Sequence, residues 1–129
     1  MQLLIAGTVL VLDQLSKALL YDQSVLNVGI AFGIGRSTRW LLPLFLLIGI
    51  GCLVGLYRGS RHPVGSPAYW AWPCIVGGLT SNIIDRIRLG AVIDPLAVPL
   101  LALQFNLADV AIVTGCVLLG YTVLRGRRV

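Results

Sequence analysis

"FNLAD" at residues 105–109 leads directly into "VAIVTGCVLLGYTVL" at 110–124, a run of 15 residues with no charge. A stretch of that length and polarity reads as a helix crossing a bilayer, which takes roughly 20 apolar residues. Asp109 sits just inside its first turns. A carboxylate at such depth costs several kcal/mol unless it is paired or hydrated, and it commonly marks function. The question raised by this stretch is what Asp109 does there.

The rest of the chain has the same character. Of its 129 residues 57% are hydrophobic, and the mean hydropathy is +0.91. A soluble domain of this size cannot bury so much apolar surface. Only 12% of residues are charged, all five acids are aspartate, and Lys17 is the single lysine among ten basic residues. The net charge of +5 suits anionic lipid headgroups. No basic patch interleaved with aromatics points to nucleic acid.

Hydropathy predicts four spans, at about 2–21, 40–57, 67–89 and 104–124. The expected fold is an all-α integral membrane protein of four transmembrane helices, forming a single domain over 1–129. The first span lacks a basic leader and carries "DQLSK" at 13–17 where a cleavage site would fall, so it reads as a retained helix. Arg58 and Arg61 in one loop and Arg125, Arg127 and Arg128 in the tail outnumber Arg36, Arg39 and Arg88 opposite. By the positive-inside rule both termini are then cytoplasmic. Trp40, Trp70 and Trp72 fall near span ends, as aromatic belts do.

This topology collects the polar residues at one depth. Asp13 and Lys17 share a helix face in the outer half of span one. Asn82, Asp85 and Arg86 share a face at the outer end of span three. Asp94 follows that end, Asn106 and Asp109 open span four, and Asn27 lies in the short outer segment. Asp13 with Lys17, and Asp85 with Arg86, are open to a structural reading as ion pairs that pin the bundle. Asp94 and Asp109 have no basic residue at helical spacing. Two leftover acids at one depth suggest a carboxylate dyad sharing a proton, one acting as base on water and the other as acid toward a carbonyl. An ion or proton pathway draws on the same residue types, although paired repeats with broken helices are not seen.

Other chemistries find little support. His62 is the single histidine and lies in the cytoplasmic loop. No zinc or oxygen-cage spacing occurs, so neither metal nor cofactor is expected. Cys52, Cys74 and Cys116 fall in three different spans without a CxxC, which reads as buried, reduced thiols.

Taken in order, "DQLSK" (13–17), "NVGIAF" (27–32), "GGLTSNIIDRIRLGAVID" (77–94) and "FNLADVAIVTG" (105–115) resemble the lipoprotein signal peptidase family, signal peptidase II. The resemblance implies an aspartic endopeptidase of the bacterial inner membrane, with its active site near the outer leaflet; a monomer is expected. Its partners would be membrane lipids and prolipoproteins whose cysteine carries diacylglycerol, cut just before that cysteine. It implies that Asp94 and Asp109 are catalytic. It assigns supporting or substrate-binding positions to Asp13, Lys17, Asn27, Gly29, Gly78, Asn82, Asp85, Arg86, Asn106 and Ala108. Three features depart from the family pattern. The segment between Lys17 and Asn27 is short, which predicts little or no periplasmic β-cradle. Ser81 stands where glycine is usual, and Pro95 where an aromatic is usual. The short segment keeps open a non-catalytic relative that binds lipoprotein without cutting.

Overall fold

The computed structural model describes residues 1–28, 51, 54, 55, 58 and 61–126. Three long helices organise them: α1 (Gln2–Leu19), α2 (Pro67–Leu89) and α3 (Leu107–Gly126). They coincide with the first, third and fourth predicted spans. The second, 40–57, lies almost wholly outside the described residues, as do Gly29 and the rest of "NVGIAF" beyond Val28. Gln2–Leu19 and Leu107–Arg125 are long and apolar enough to cross a membrane.

The ends of α2 follow from local chemistry. Ser66 is the N-cap, its hydroxyl accepting the Tyr69 N–H at 3.3 Å, and Pro67 supplies the preset φ of a first turn. Gly90 closes the helix in the left-handed region at φ 69°, its N–H reaching the Arg86 carbonyl at 3.0 Å. Within the helix Pro73 brings no N–H, which orphans the carbonyl four residues earlier, that of Tyr69. The buried Gln2 of α1 answers this loss: its Nε2 donates to the Tyr69 carbonyl at 3.1 Å. A helix defect is thereby converted into an interhelical bond.

Helix α2 lies between the other two, and glycine sets how closely. A Cβ on Gly77 would stand 2.5 Å from the Ala6 carbonyl oxygen of α1. On Gly78 it would stand 2.5 Å from the Ala108 carbonyl oxygen of α3, and on Gly115 of α3 it would stand 2.6 Å from the Ala71 carbonyl oxygen of α2. Such small-residue contacts suit helices that gain no hydrophobic drive from one another in lipid. The polarity of the bundle is inverted accordingly. Leucines and valines such as Leu3, Leu15, Val113 and Val117 are exposed, whereas Asp13, Lys17, Ser81, Asp85 and Asn106 are almost wholly buried.

Four three-residue strands cap the polar end. β1 (Val25–Asn27) pairs antiparallel with β2 (Val92–Asp94), placing Val25 opposite Asp94 and Asn27 opposite Val92. β3 (Leu96–Val98) pairs with β4 (Leu103–Phe105) through a 3-10 turn at Pro99–Leu101 and Ala102 at φ 47°. The expectation of little or no sheet therefore needs refining. The short outer segment forms no sheet by itself, but it borrows a distant partner: a three-residue strand needs one neighbour to complete its hydrogen bonds, and β2 supplies it.

Candidate active site

The site grows from a charge cluster on α1 and α2. Lys17 reaches Asp13 one turn back at 2.5 Å and Asp85 on α2 at 2.7 Å, and donates to Asn82 Oδ1 at 3.0 Å. Those three contacts use every donor an ammonium has. Two carboxylates facing one cation leave an excess negative charge in an apolar bundle, and neutral donors absorb it. Asp13 accepts the Ala108 N–H at 2.8 Å and the Ser81 hydroxyl at 2.7 Å. Asp85 accepts Gln14 Nε2 at 2.8 Å and the Ile93 N–H at 3.4 Å. Among the described residues no buried side-chain nitrogen or oxygen lacks a partner.

The anticipated ion pair between Asp13 and Lys17 is present. The one anticipated between Asp85 and Arg86 is not how Asp85 is neutralised, since Lys17 takes that role. Neighbouring residues on a helix point about a quarter-turn apart and do not face each other. Arg86 instead extends Nη1 toward the Asn82 carbonyl at 3.4 Å.

Asn82 carries the cluster's order to Asp109. Because Lys17 is donor-only, the amide must present its oxygen to it, and Nδ2 is left to donate to Asp109 Oδ1 at 2.9 Å. Asn106 completes the placement. Its Oδ1 accepts the Asp109 N–H at 2.9 Å, while its own N–H approaches Asp109 Oδ2 at 3.4 Å. This reciprocal pattern is a capping box at the start of α3. It answers the question set by "FNLAD": the first-turn carboxylate caps its helix, where the helix dipole favours negative charge.

The same Asn106 holds the second acid, its Nδ2 donating to Asp94 Oδ1 at 2.7 Å. Asn27, brought over by the β1–β2 pairing, donates to Asp94 Oδ2 at 3.2 Å. Both leftover acids are thus gripped by uncharged amides and meet at one asparagine. Burial pushes the Asp94 carboxyl above the usual carboxylate range. The Asn27 and Asn106 bonds pull it down, the charge of Asp109 pushes it up, and Lys17 pulls it down.

The arrangement gathers Asp13, Lys17, Asn27, Asn82, Asp85, Asp94, Asn106 and Asp109 into one polar layer, with Arg86 beside it. Gly78 and Ala108 act through packing. Ala108 is fully buried and its carbonyl lies where any side chain at Gly78 would go. Gly29 is outside the described residues. Sequence reasoning missed Gln14, whose signal was an amide beside Asp13 in an apolar helix, and it missed the hydroxyl of Ser81 as a ligand of the cluster. Cys74 and Cys116 are free, and Cys116 is exposed on α3, contrary to its expected burial, because the outward face of this helix has no protein neighbour among the described residues.

Two solved bacterial membrane enzymes, both determined by the in meso method, share the fold. One superposes with a TM-score of 0.80 at 22% identity, covering 96% of this chain and 87% of that one. The other gives 0.77 at 22%, covering 95% and 92%. The family pattern described as Signal peptidase (SPase) II matches residues 5–125. The chain belongs to the signal peptidase II family. A lipoprotein signal peptidase of Leifsonia xyli subsp. xyli is 35% identical over 147 aligned positions, which take in 95% of this chain and 66% of that protein. One from Janthinobacterium sp. is 34% identical, covering 94% and 86%, and one from Synechococcus sp. (strain RCC307) is 38% identical, covering 85% and 85%. The chain spans just under two thirds of the Leifsonia protein's length. That alignment has more positions than this chain has residues, so the relative carries inserted residues within the matched region.

Proposed function

We propose that the protein is an intramembrane aspartic endopeptidase that removes signal peptides from diacylglyceryl-modified prolipoproteins, cutting just before the lipidated cysteine. The observation that carries this reading is the anchoring of Asp94 and Asp109 on one asparagine, with neutral amides as their hydrogen-bond donors. Asp94, whose protonated form is favoured by burial, gives its proton to the scissile carbonyl oxygen. Asp109 takes a proton from water, and the resulting hydroxide adds to the carbonyl carbon. The tetrahedral diol collapses as Asp109 passes that proton to the departing amide nitrogen and Asp94 recovers its own. No covalent intermediate forms, and the bond broken is the C–N bond of the amide.

In this reading the chain is a single four-span domain of the bacterial inner membrane and functions as a monomer. Both termini are cytoplasmic, and the polar layer sits at the depth of the outer leaflet. The acyl chains of the substrate stay in that leaflet, and its signal helix lies along the bundle. The scissile amide is thereby delivered to the carboxylates, and such positioning removes much of a reaction barrier. The inserted residues of the relative favour one competing reading, a lipoprotein-binding protein that does not cut. Purified protein in detergent with a lipidated prolipoprotein separates the two. The parent should release signal peptide, and Asp94→Asn and Asp109→Asn should each release none while keeping helical content. Turnover by either variant would remove the aspartic mechanism, and binding without cleavage by the parent would select the competing reading.

A further inference from the structure

Ser81 is fully buried on α2 and is not one of the residues assigned a role in the reaction. Its hydrogen bonds have a fixed direction. Gln14 Nε2 is donor-only, and it gives one hydrogen to Ser81 Oγ at 2.8 Å and the other to Asp85 Oδ1 at 2.8 Å. The hydroxyl must therefore accept from Gln14 and spend its single proton on Asp13 Oδ2 at 2.7 Å. The result is a strap from Asp85 through Gln14 and Ser81 to Asp13, running beside Lys17, with a carboxylate accepting a hydrogen at each end.

Two routes lead from this strap to Asp109. Asp13 Oδ1 holds the Ala108 N–H, the peptide group immediately before Asp109. Lys17, seated between Asp13 and Asp85, fixes the Asn82 amide that donates to Asp109 Oδ1. A carboxylate that loses its Ser81 bond is free to swing about its other contacts, and both routes loosen together. We infer that Ser81 is a positioning residue: with Gln14 it locks Asp13 and Lys17, and through them sets the placement of the turn that carries Asp109. It touches neither substrate nor the reacting atoms.

The inference rests on the peptidase reading for its kinetic consequence, and the test separates the two. Cleavage of a lipidated prolipoprotein is followed in detergent for the parent, Ser81→Ala and Ser81→Thr, alongside the backbone amide resonance of Ala108 in each protein. Ser81→Ala should lower kcat about tenfold or more, a loss of one hydrogen bond's worth of placement, while KM stays within about twofold. Ser81→Thr, which keeps the hydroxyl, should recover most of that loss. The Ala108 resonance should move in Ser81→Ala and stay near the parent's in Ser81→Thr. If Ser81→Ala does not fold, Ser81→Cys keeps the size with a poorer donor and should shift both readouts in the same direction. A parent that cleaves and a Ser81→Ala variant with unchanged kcat would overturn the inference and leave the peptidase standing. A parent that does not cleave, with an Ala108 resonance that still moves, would remove the peptidase reading and leave the positioning intact. An Ala108 resonance that stays in place in both Ser81→Ala and Ser81→Cys would overturn the positioning itself.

Discussion

Lys17 shows how a single cation governs a buried cluster. It serves Asp13, Asp85 and Asn82 at once, so its removal leaves two carboxylates without a counter-charge. Lys17→Met should cost roughly 3–5 kcal/mol, the usual penalty for breaking a buried ion pair, visible as a lower melting temperature in detergent. An unchanged melt would mean that the carboxylates are not both charged in the folded state. Asp94 makes a different demand. Burial raises its carboxyl, so folding favours the protonated acid. Its contribution to stability is fully present below about pH 4, the ordinary aspartate value, and is lost as pH rises through the raised one. The melting temperature should fall over that window, and Asp94→Asn should flatten the fall. Parallel slopes in parent and variant would rule this carboxyl out as the source. At this scale the sequence was partly legible. Asp13 with Lys17 could be read from i, i+4 spacing, and the lack of any basic residue at that spacing set Asp94 and Asp109 apart, although their common anchor, Asn106, was not foreseen. The true partner of Asp85 could not, because it sits on another helix, and neither could the strap through Gln14 and Ser81, since uncharged side chains carry no spacing rule.

Among the elements, the close approach of α2 to its neighbours is the feature most open to test. Gly78 has no room for a methyl group, and the atom in the way is backbone, which cannot rotate aside. Gly78→Ala should therefore force α2 and α3 apart at the level of Asp109, costing about 1–3 kcal/mol together with activity. Gly7 on α1 meets nothing within 4 Å of an added Cβ, so Gly7→Ala should hold or raise stability, by up to about 1 kcal/mol from helix propensity. Equal thermal melts for the two variants would contradict this account of the packing. The limits of α2 were readable from hydropathy to the residue, because the charged and loop-forming residues beyond it change composition abruptly. The strands were not. β1 has three residues and finds its partner far along the chain, so nothing local marks it, and the short segment before it suggested less sheet than there is.

For the whole molecule, the inverted distribution of polarity bears, on the peptidase reading, on how substrate is gripped. The described surface offers leucine and valine along α1 and α3. The polar end carries two two-stranded sheets, each strand three residues long. Grip should come chiefly from the acyl chains, each buried methylene contributing about 0.8 kcal/mol, and from the signal helix. Cleavage should depend strongly on the diacylglycerol and weakly on the residues after the cysteine, as measured by kcat/KM over a set of substrates varied in both. Similar rates for lipidated and unlipidated substrate would refute this. Assembly in time follows from one bond, the 2.8 Å contact between Asp13 and the Ala108 N–H, which joins the first helix to the last. Ribosomes deliver the amino terminus first. Lys17 and Asp13 emerge together and can neutralise each other as α1 enters the bilayer, long before Asp85 or Asp109 exists. The polar layer is the last part to be made, so on the peptidase reading a half-finished chain carries no complete pair of acids to turn on the membrane proteins being inserted beside it.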